Sequence, residues 1–134
     1  METKYKILII DDDKFLLNMY ALKFKKAGLD VNTAASADEA LQKVTEGFMP
    51  DIFIIDIIMP GMDGIELLEK MRKEHIADGA TIVILTNQGE TTDIERAKEL
   101  KSDGYIVKAT AIPSEVVDEV MGIHSKKRGV AKSA

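Results

Sequence analysis

Residues 51–64 read DIFIIDIIMPGMDG. Four apolar residues, Ile52 to Ile55, run straight into Asp56, and a Met-Pro-Gly turn follows at Met59 to Gly61. A strand that is apolar without alternation is expected where both of its faces are covered, as in a parallel sheet between two layers of helices. Such a strand ends on a carboxylate only if the carboxylate caps the next element or has work to do at the edge of the sheet.

The surrounding sequence repeats a strand and then a helix five times. YKILII (5–10) is rich in apolar and β-branched residues and stops at Asp11, Asp12 and Asp13. The segment from Lys14 to Gly28 places Phe15, Met19 and Leu22 on one helical face, with Asp13 as N-cap and Gly28 as stop. LDVNTA (29–34) is a short alternating strand, and 36–47 is a helix with Ser36 and Glu39 at capping-box spacing. Gly64 to His75 is amphipathic through Ile65, Leu68 and Met71, with Asp63 as its cap. TIVILT (81–86) is the fourth strand, and 91–102 a helix with Ile94, Ala97 and Leu100 inward. DGYIVK (103–108) is the fifth strand, and 113–125 the fifth helix, with Pro113 in its first turn. This alternation predicts an α/β fold, a parallel sheet with helices on both faces.

The bulk properties exclude several functions. At 134 residues the chain has the size of one domain. It has no apolar run near the roughly 20 residues that cross a bilayer, and its N-terminal apolar run is short for a signal peptide. Without cysteine it has neither disulfides nor thiolate metal sites, and the cytosol is the expected compartment. The net charge is −5, but Lys126, Lys127, Arg128 and Lys132 all lie in the last eleven residues. Residues 1–123 therefore hold 14 basic against 23 acidic residues, a charge of −9 that disfavours nucleic acid on the main surface. Residues 1–123 form the expected domain and 124–134 a basic, frayed tail. His75 and His124 are expected at the surface, and Met59 and Met62 as loop packing.

In a parallel sheet ligands sit beyond the carboxyl ends of the strands. Those ends carry Asp11, Asp12, Asp56, Thr86 and Lys108. Three carboxylates in one cleft repel, and a hard divalent cation is the natural compensation. The donors are all oxygen, which favours Mg²⁺, and Mg²⁺ held by carboxylates points to phosphoryl chemistry.

ILIIDDDKF (7–15), DIFIIDIIMPGMDG (51–64), VILTNQ (83–88) and DGYIVKA (103–109) together resemble the receiver domain of bacterial two-component response regulators, and the resemblance covers about residues 4–123. It implies a flavodoxin-like sheet of order 2-1-3-4-5 with five helices. It implies that Asp56 accepts a phosphoryl group from a histidine kinase or phosphotransfer protein. It implies that Asp11, Asp12, Asp56 and the backbone carbonyl of Ile58 hold Mg²⁺, with Pro60 and Gly61 fixing the loop. By the same resemblance Lys108 neutralises phosphoryl oxygens, Thr86 bonds one of them, and Tyr105 is an aromatic switch. The fourth helix, fifth strand and fifth helix would then contact a downstream protein or a second copy.

Lys108 is followed by Ala109 where the family has proline. A cis bond to a non-proline costs about 2.5–4 kcal/mol, so a trans peptide is expected, or a strained cis bond held by the site. Ile58 and Gln88 occupy the positions that set phosphoryl lifetime in the family, and the apolar Ile58 implies slow to moderate self-hydrolysis. A haloacid-dehalogenase-like phosphatase is the alternative, with Asp11 as nucleophile and Asp13 and Thr86 in support, but no later acidic pair or cap insertion accompanies them. A third reading, an interaction module that is never phosphorylated, leaves the clustered charges without a purpose.

Overall fold

A computed structural model describes residues 4–86, 91–108 and 112–128. In chain order these form β1 (Lys6–Ile10), α1 (Lys14–Lys26), β2 (Asp30–Ala34), α2 (Ala37–Thr45), β3 (Ile52–Asp56), α3 (Gly64–Lys73), β4 (Thr81–Thr86), α4 (Thr91–Glu99), β5 (Gly104–Val107) and α5 (Pro113–Arg128). Among the described residues the strands make one parallel sheet of order β2-β1-β3-β4-β5. The element types and the strand order match expectation, and β4 has the expected ends.

Strand alternation divides the core between the two faces of the sheet. Leu8, Ile10, Phe53, Ile55, Ile82 and Ile84 meet the inner residues of α2, α3 and α4, including Ala40, Leu67, Leu68, Met71 and Ala97. Ile7, Ile9, Ile52, Ile54, Val83 and Leu85 meet Leu17, Tyr20 and Phe24 of α1 and Val116, Val117 and Val120 of α5. β1, β3 and β4 are thus apolar on both faces, which accounts for the unbroken runs in β3 and β4. Met59 and Met62 do pack against this core.

The helix starts are held by side chains. Asp13 Oδ1 accepts the Leu16 N–H at 3.1 Å. Asp63 and Glu66 form a full capping box at 2.8 and 2.9 Å. Ser36 Oγ accepts the Glu39 N–H at 3.1 Å, but Glu39 Oε1 takes the Ala35 N–H at 2.9 Å, so this box is shifted by one residue. Gly28 and Gly47 follow α1 and α2 with φ of 95° and 110°, as stops in the left-handed region.

Two expectations are corrected. The buried face of α1 is Leu17, Tyr20, Ala21 and Phe24, whereas Phe15 is 75% exposed and Leu22 53%. The helix is apolar on two faces, so periodicity alone could not choose between them; the i, i+3, i+4, i+7 set won. The second correction concerns the C-terminus. The expected boundary at 123/124 falls inside α5, which continues to Arg128. His124 is buried, not at the surface, because it takes the next inward position after Val116 and Val120. Its Nδ1 lies 2.7 Å from Thr81 Oγ1 and its ring meets Tyr5 edge-on at 4.6 Å. Burial, with Arg128 and Lys127 nearby, holds the imidazole below the usual histidine range. Lys127 Nζ pairs with both Asp103 oxygens at 3.1 Å. Gln88, the Lys108–Ala109 bond and tail residues 129–134 lie outside the described residues.

Candidate functional site

The parallel register carries the ends of β1, β3, β4 and β5 to one edge, with Ile10 paired to Ile55, Asp56 to Leu85 and Thr86 to Val107. Asp11 directly follows β1 and is fully buried. Its N–H donates to the Ala34 carbonyl at 3.1 Å, and its Oδ1 accepts the Asp13 N–H at 3.0 Å, so both backbone and carboxylate are fixed. Asp12 is exposed and Asp56, the last residue of β3, is buried. One carboxylate oxygen from each of Asp11, Asp12 and Asp56 lies within 4.8 Å of the other two. The three acids expected to converge are therefore together.

Lys108 stands among them. Its Nζ is 2.7 Å from Asp11 Oδ2 and 3.2 Å from Asp56 Oδ1, and its side chain is 7% exposed. Asp11 Oδ2 has no partner among the described residues besides this ammonium, which is its compensation. One cation does not balance the site. Burial, then the charge of Asp11, push the Asp56 carboxyl up to about 7 against the opposing pull of Lys108. Burial pulls the Lys108 ammonium down, but its hydrogen bond to Asp11 and the charges of Asp56 and Asp11 outweigh it, and the net shift is upward. The site is short of positive charge in a cluster of hard oxygen donors. That deficit and donor set fit a divalent cation such as Mg²⁺.

Thr86 ends β4 one residue beyond the partner of Asp56 and is buried. Tyr105 pairs with Ile84, two residues before Thr86, so Thr86 and Tyr105 face the same side of the sheet. Tyr105 is 45% exposed and lines a cavity of about 70 Å³ with Ile94, Ala97 and Lys98 of α4. Ile58 is 67% exposed beside the acids. Asp13 and Asp63 cap helices as expected. His75 is exposed and pairs with Asp78, away from the cluster. A larger groove of about 540 Å³, lined by Arg72, His75, Lys101 and Lys127, includes none of the strand-end residues. A site for an ion and one phosphoryl group needs no cavity of that size.

Sequence reasoning overlooked Tyr20. Its ring is buried on α1, and its phenol is raised by burial, against Lys108 and with the charges of Asp11, Asp56 and Asp13. It thus lies in the field of the site. The only available signal was its place in the true inward stripe of α1, which the other stripe obscured.

The fold and the cluster together define a doubly wound α/β domain with an acidic cluster at the carboxyl edge of its sheet. The chain belongs to the response regulator receiver domain family, whose model matches residues 7–120. It is 32% identical over 129 residues to the alkaline phosphatase synthesis transcriptional regulatory protein PhoP of Bacillus subtilis, covering 96% of this chain and 52% of that protein. It is 32% identical over 117 residues to the DNA-binding response regulator MtrA of Mycobacterium tuberculosis, covering 87% and 49%. The chain therefore spans about half the length of these curated relatives. Among solved structures it resembles a CheY-like receiver domain protein from Methanospirillum hungatei (TM-score 0.84, 27% identity, 95% and 98% of the two chains). It also resembles the chemotaxis protein CheY4 of Vibrio cholerae (TM-score 0.83, 26% identity, 90% and 99%). The domain is a two-component receiver, and the haloacid-dehalogenase-like alternative is not supported.

Proposed function

We propose that Asp56 is the phosphoacceptor, that Asp11, Asp12, Asp56 and the Ile58 carbonyl hold Mg²⁺, and that Lys108 and Thr86 bind the transferred group. The observation that carries this reading is the acidic cluster: three carboxylates within 4.8 Å of one another, two of them buried, with the Lys108 ammonium 2.7 and 3.2 Å from those two. Bound Mg²⁺ would screen the charge of the nucleophile and of the incoming phosphoryl oxygens. Asp56, fixed at a strand end, attacks phosphorus; the new O–P bond forms as the bond to the donor, a phosphohistidine nitrogen, breaks. Lys108 is positioned to exchange an Asp56 oxygen for a phosphoryl oxygen, and Asp11 keeps it aimed. The Thr86 hydroxyl then donates to the phosphorylated side chain, and Tyr105 responds on the same face of the sheet.

The partners that follow are a histidine kinase or phosphotransfer protein as donor, and a downstream protein, or a second copy of the chain, on the α4-β5-α5 face. Tyr105 of β5 is exposed there at 45%. The acidic body of the domain makes nucleic acid an unsuitable direct ligand for it. None of the described helices is long and apolar enough to cross a membrane; we place the domain in the cytoplasm with its donor kinase's catalytic parts.

Incubation with Mg²⁺ and a small acyl-phosphate donor, followed by intact mass, tests this reading. A single phosphoryl adduct is expected, absent in Asp56→Asn. An undiminished adduct in Asp56→Asn, or phosphate-ester turnover abolished by Asp11→Asn, would overturn it. A second expectation concerns lifetime. The Ile58 side chain offers no hydrogen bond to orient an attacking water, so the adduct should decay slowly. Ile58→Asn should hasten that decay, by about tenfold, in a time course of intact mass; adduct loss within seconds in the unaltered chain would count against the role given to Ile58.

A further inference from the structure

Gly64, the first residue of α3, lies against the backbone of the residue that carries the acceptor carboxylate. A Cβ built on it would stand 2.2 Å from the Asp56 carbonyl oxygen, 2.9 Å from the Asp56 carbonyl carbon and 2.9 Å from Ile55 Cγ2. Two of those atoms are main chain in a central, fully covered strand, and they cannot swing aside as a side-chain end can. The Gly64 N–H donates to the Ile57 carbonyl at 2.8 Å. Its backbone is helical, so the position needs an absent side chain and not an unusual φ.

The helix has no freedom to withdraw. Asp63 and Glu66 lock its first turn through the capping box, and Leu67, Leu68 and Met71 are buried against the sheet. Gly64 therefore touches Asp56 through its missing Cβ and Ile57 through its amide. Those two residues and the next, Ile58, make up the segment assigned to present both the nucleophile and a carbonyl to the metal.

We propose that Gly64 is a positioning residue for phosphoryl transfer: seated on the Asp56 carbonyl and bonded to the Ile57 carbonyl, it fixes the backbone from which Asp56 and Ile58 offer their oxygens to one ion. This rests on the assignment of Asp56 as phosphoacceptor. In Gly64→Ala the start of α3 and the end of β3 must separate by about 1 Å to relieve the 2.2 Å contact, and a misplacement of that size costs about 100-fold in rate.

The control is Gly104→Ala. Its Cβ would also be crowded, at 2.7 Å, but by Ile123 Cδ1, the end of a flexible side chain, at the first residue of β5 and so away from the carboxyl edge. Both variants should lose stability, as overpacking does. Only Gly64→Ala should weaken binding of Mg²⁺ alone in calorimetry, by about tenfold or more, and slow adduct formation by about 100-fold. Gly104→Ala should stay within about twofold on both. Equal Mg²⁺ affinity and rate in Gly64→Ala and the unaltered chain would overturn the proposal, as would equal losses in the two variants. If Gly64→Ala does not fold, the amides of the unaltered chain decide: titration with Mg²⁺ should shift the Gly64 and Ile57 resonances, and an unmoved Gly64 amide beside shifted Asp12 and Asp13 would overturn it. An unaltered chain that forms no adduct refutes the acceptor assignment itself, a distinct result.

Discussion

Asp56→Asn is expected to be more stable than the unaltered chain at about pH 8 without Mg²⁺, by about 2–4 kcal/mol in urea unfolding. The carboxyl rises from 3.8 to about 7 on folding, mainly through burial and the charge of Asp11. About three units at 1.36 kcal/mol each set the upper figure, and the lost contact with Lys108 lowers it. The sign follows from linkage. A carboxyl with a raised folded-state value leaves stability intact below its unfolded value and removes it progressively as pH rises through the folded one. The two proteins should therefore have similar stability near pH 4 and diverge up to about pH 7. Mg²⁺ should stabilise the unaltered chain, by about 2.7 kcal/mol at a hundredfold excess over its dissociation constant, and stabilise Asp56→Asn much less. Equal stability of the two at pH 8, with no differential effect of Mg²⁺, would contradict the electrostatic account of the site.

Lys108→Ala should be costly in two separable ways. It removes contacts of 2.7 and 3.2 Å and leaves the fully buried Asp11 without a cation, a change worth about 3–5 kcal/mol of folding stability. It should also slow adduct formation by about 10²–10³-fold, the usual cost of removing one fixed group from a developing charge. Mg²⁺ should recover part of the stability and little of the rate, because an ion can neutralise the acids but cannot stand in for the ammonium at the phosphoryl oxygens. In a double-mutant cycle Lys108→Ala and Asp56→Asn should be strongly non-additive in stability. Quenched time courses by intact mass and urea curves check the two effects separately. Full-rate transfer in Lys108→Ala would remove the lysine from the transfer step.

How much of this was legible beforehand varied with the kind of signal. β3 and β4 were plain because a strand buried on both faces keeps its polar residues to its ends, so Asp56 and Thr86 mark the carboxyl ends themselves. The clustering of Asp11, Asp12 and Asp56 follows once the strands are parallel. The order of the strands, by contrast, came from the resemblance, since right-handed crossovers alone permit several orders. The face of α1 was misread because Phe15, Met19 and Leu22 are as apolar as Leu17, Tyr20 and Phe24; docking on the sheet chose between them, and Tyr20 was missed as a result. The end of α5 was misplaced because basic residues look like a solvated tail until a buried Thr81 hydroxyl and the Asp103 carboxylate give His124 and Lys127 something to hold. Gly64 carried no signal beyond being a glycine, because its constraint comes from a carbonyl eight residues away.

The closing turns of α5 have a mechanical meaning. His124 and Lys127 fasten that helix to Thr81 and Asp103, at the starts of β4 and β5, while the acid cluster occupies the opposite rim. A tug on Arg128 is thus borne by the foot of the sheet before any load reaches Asp56.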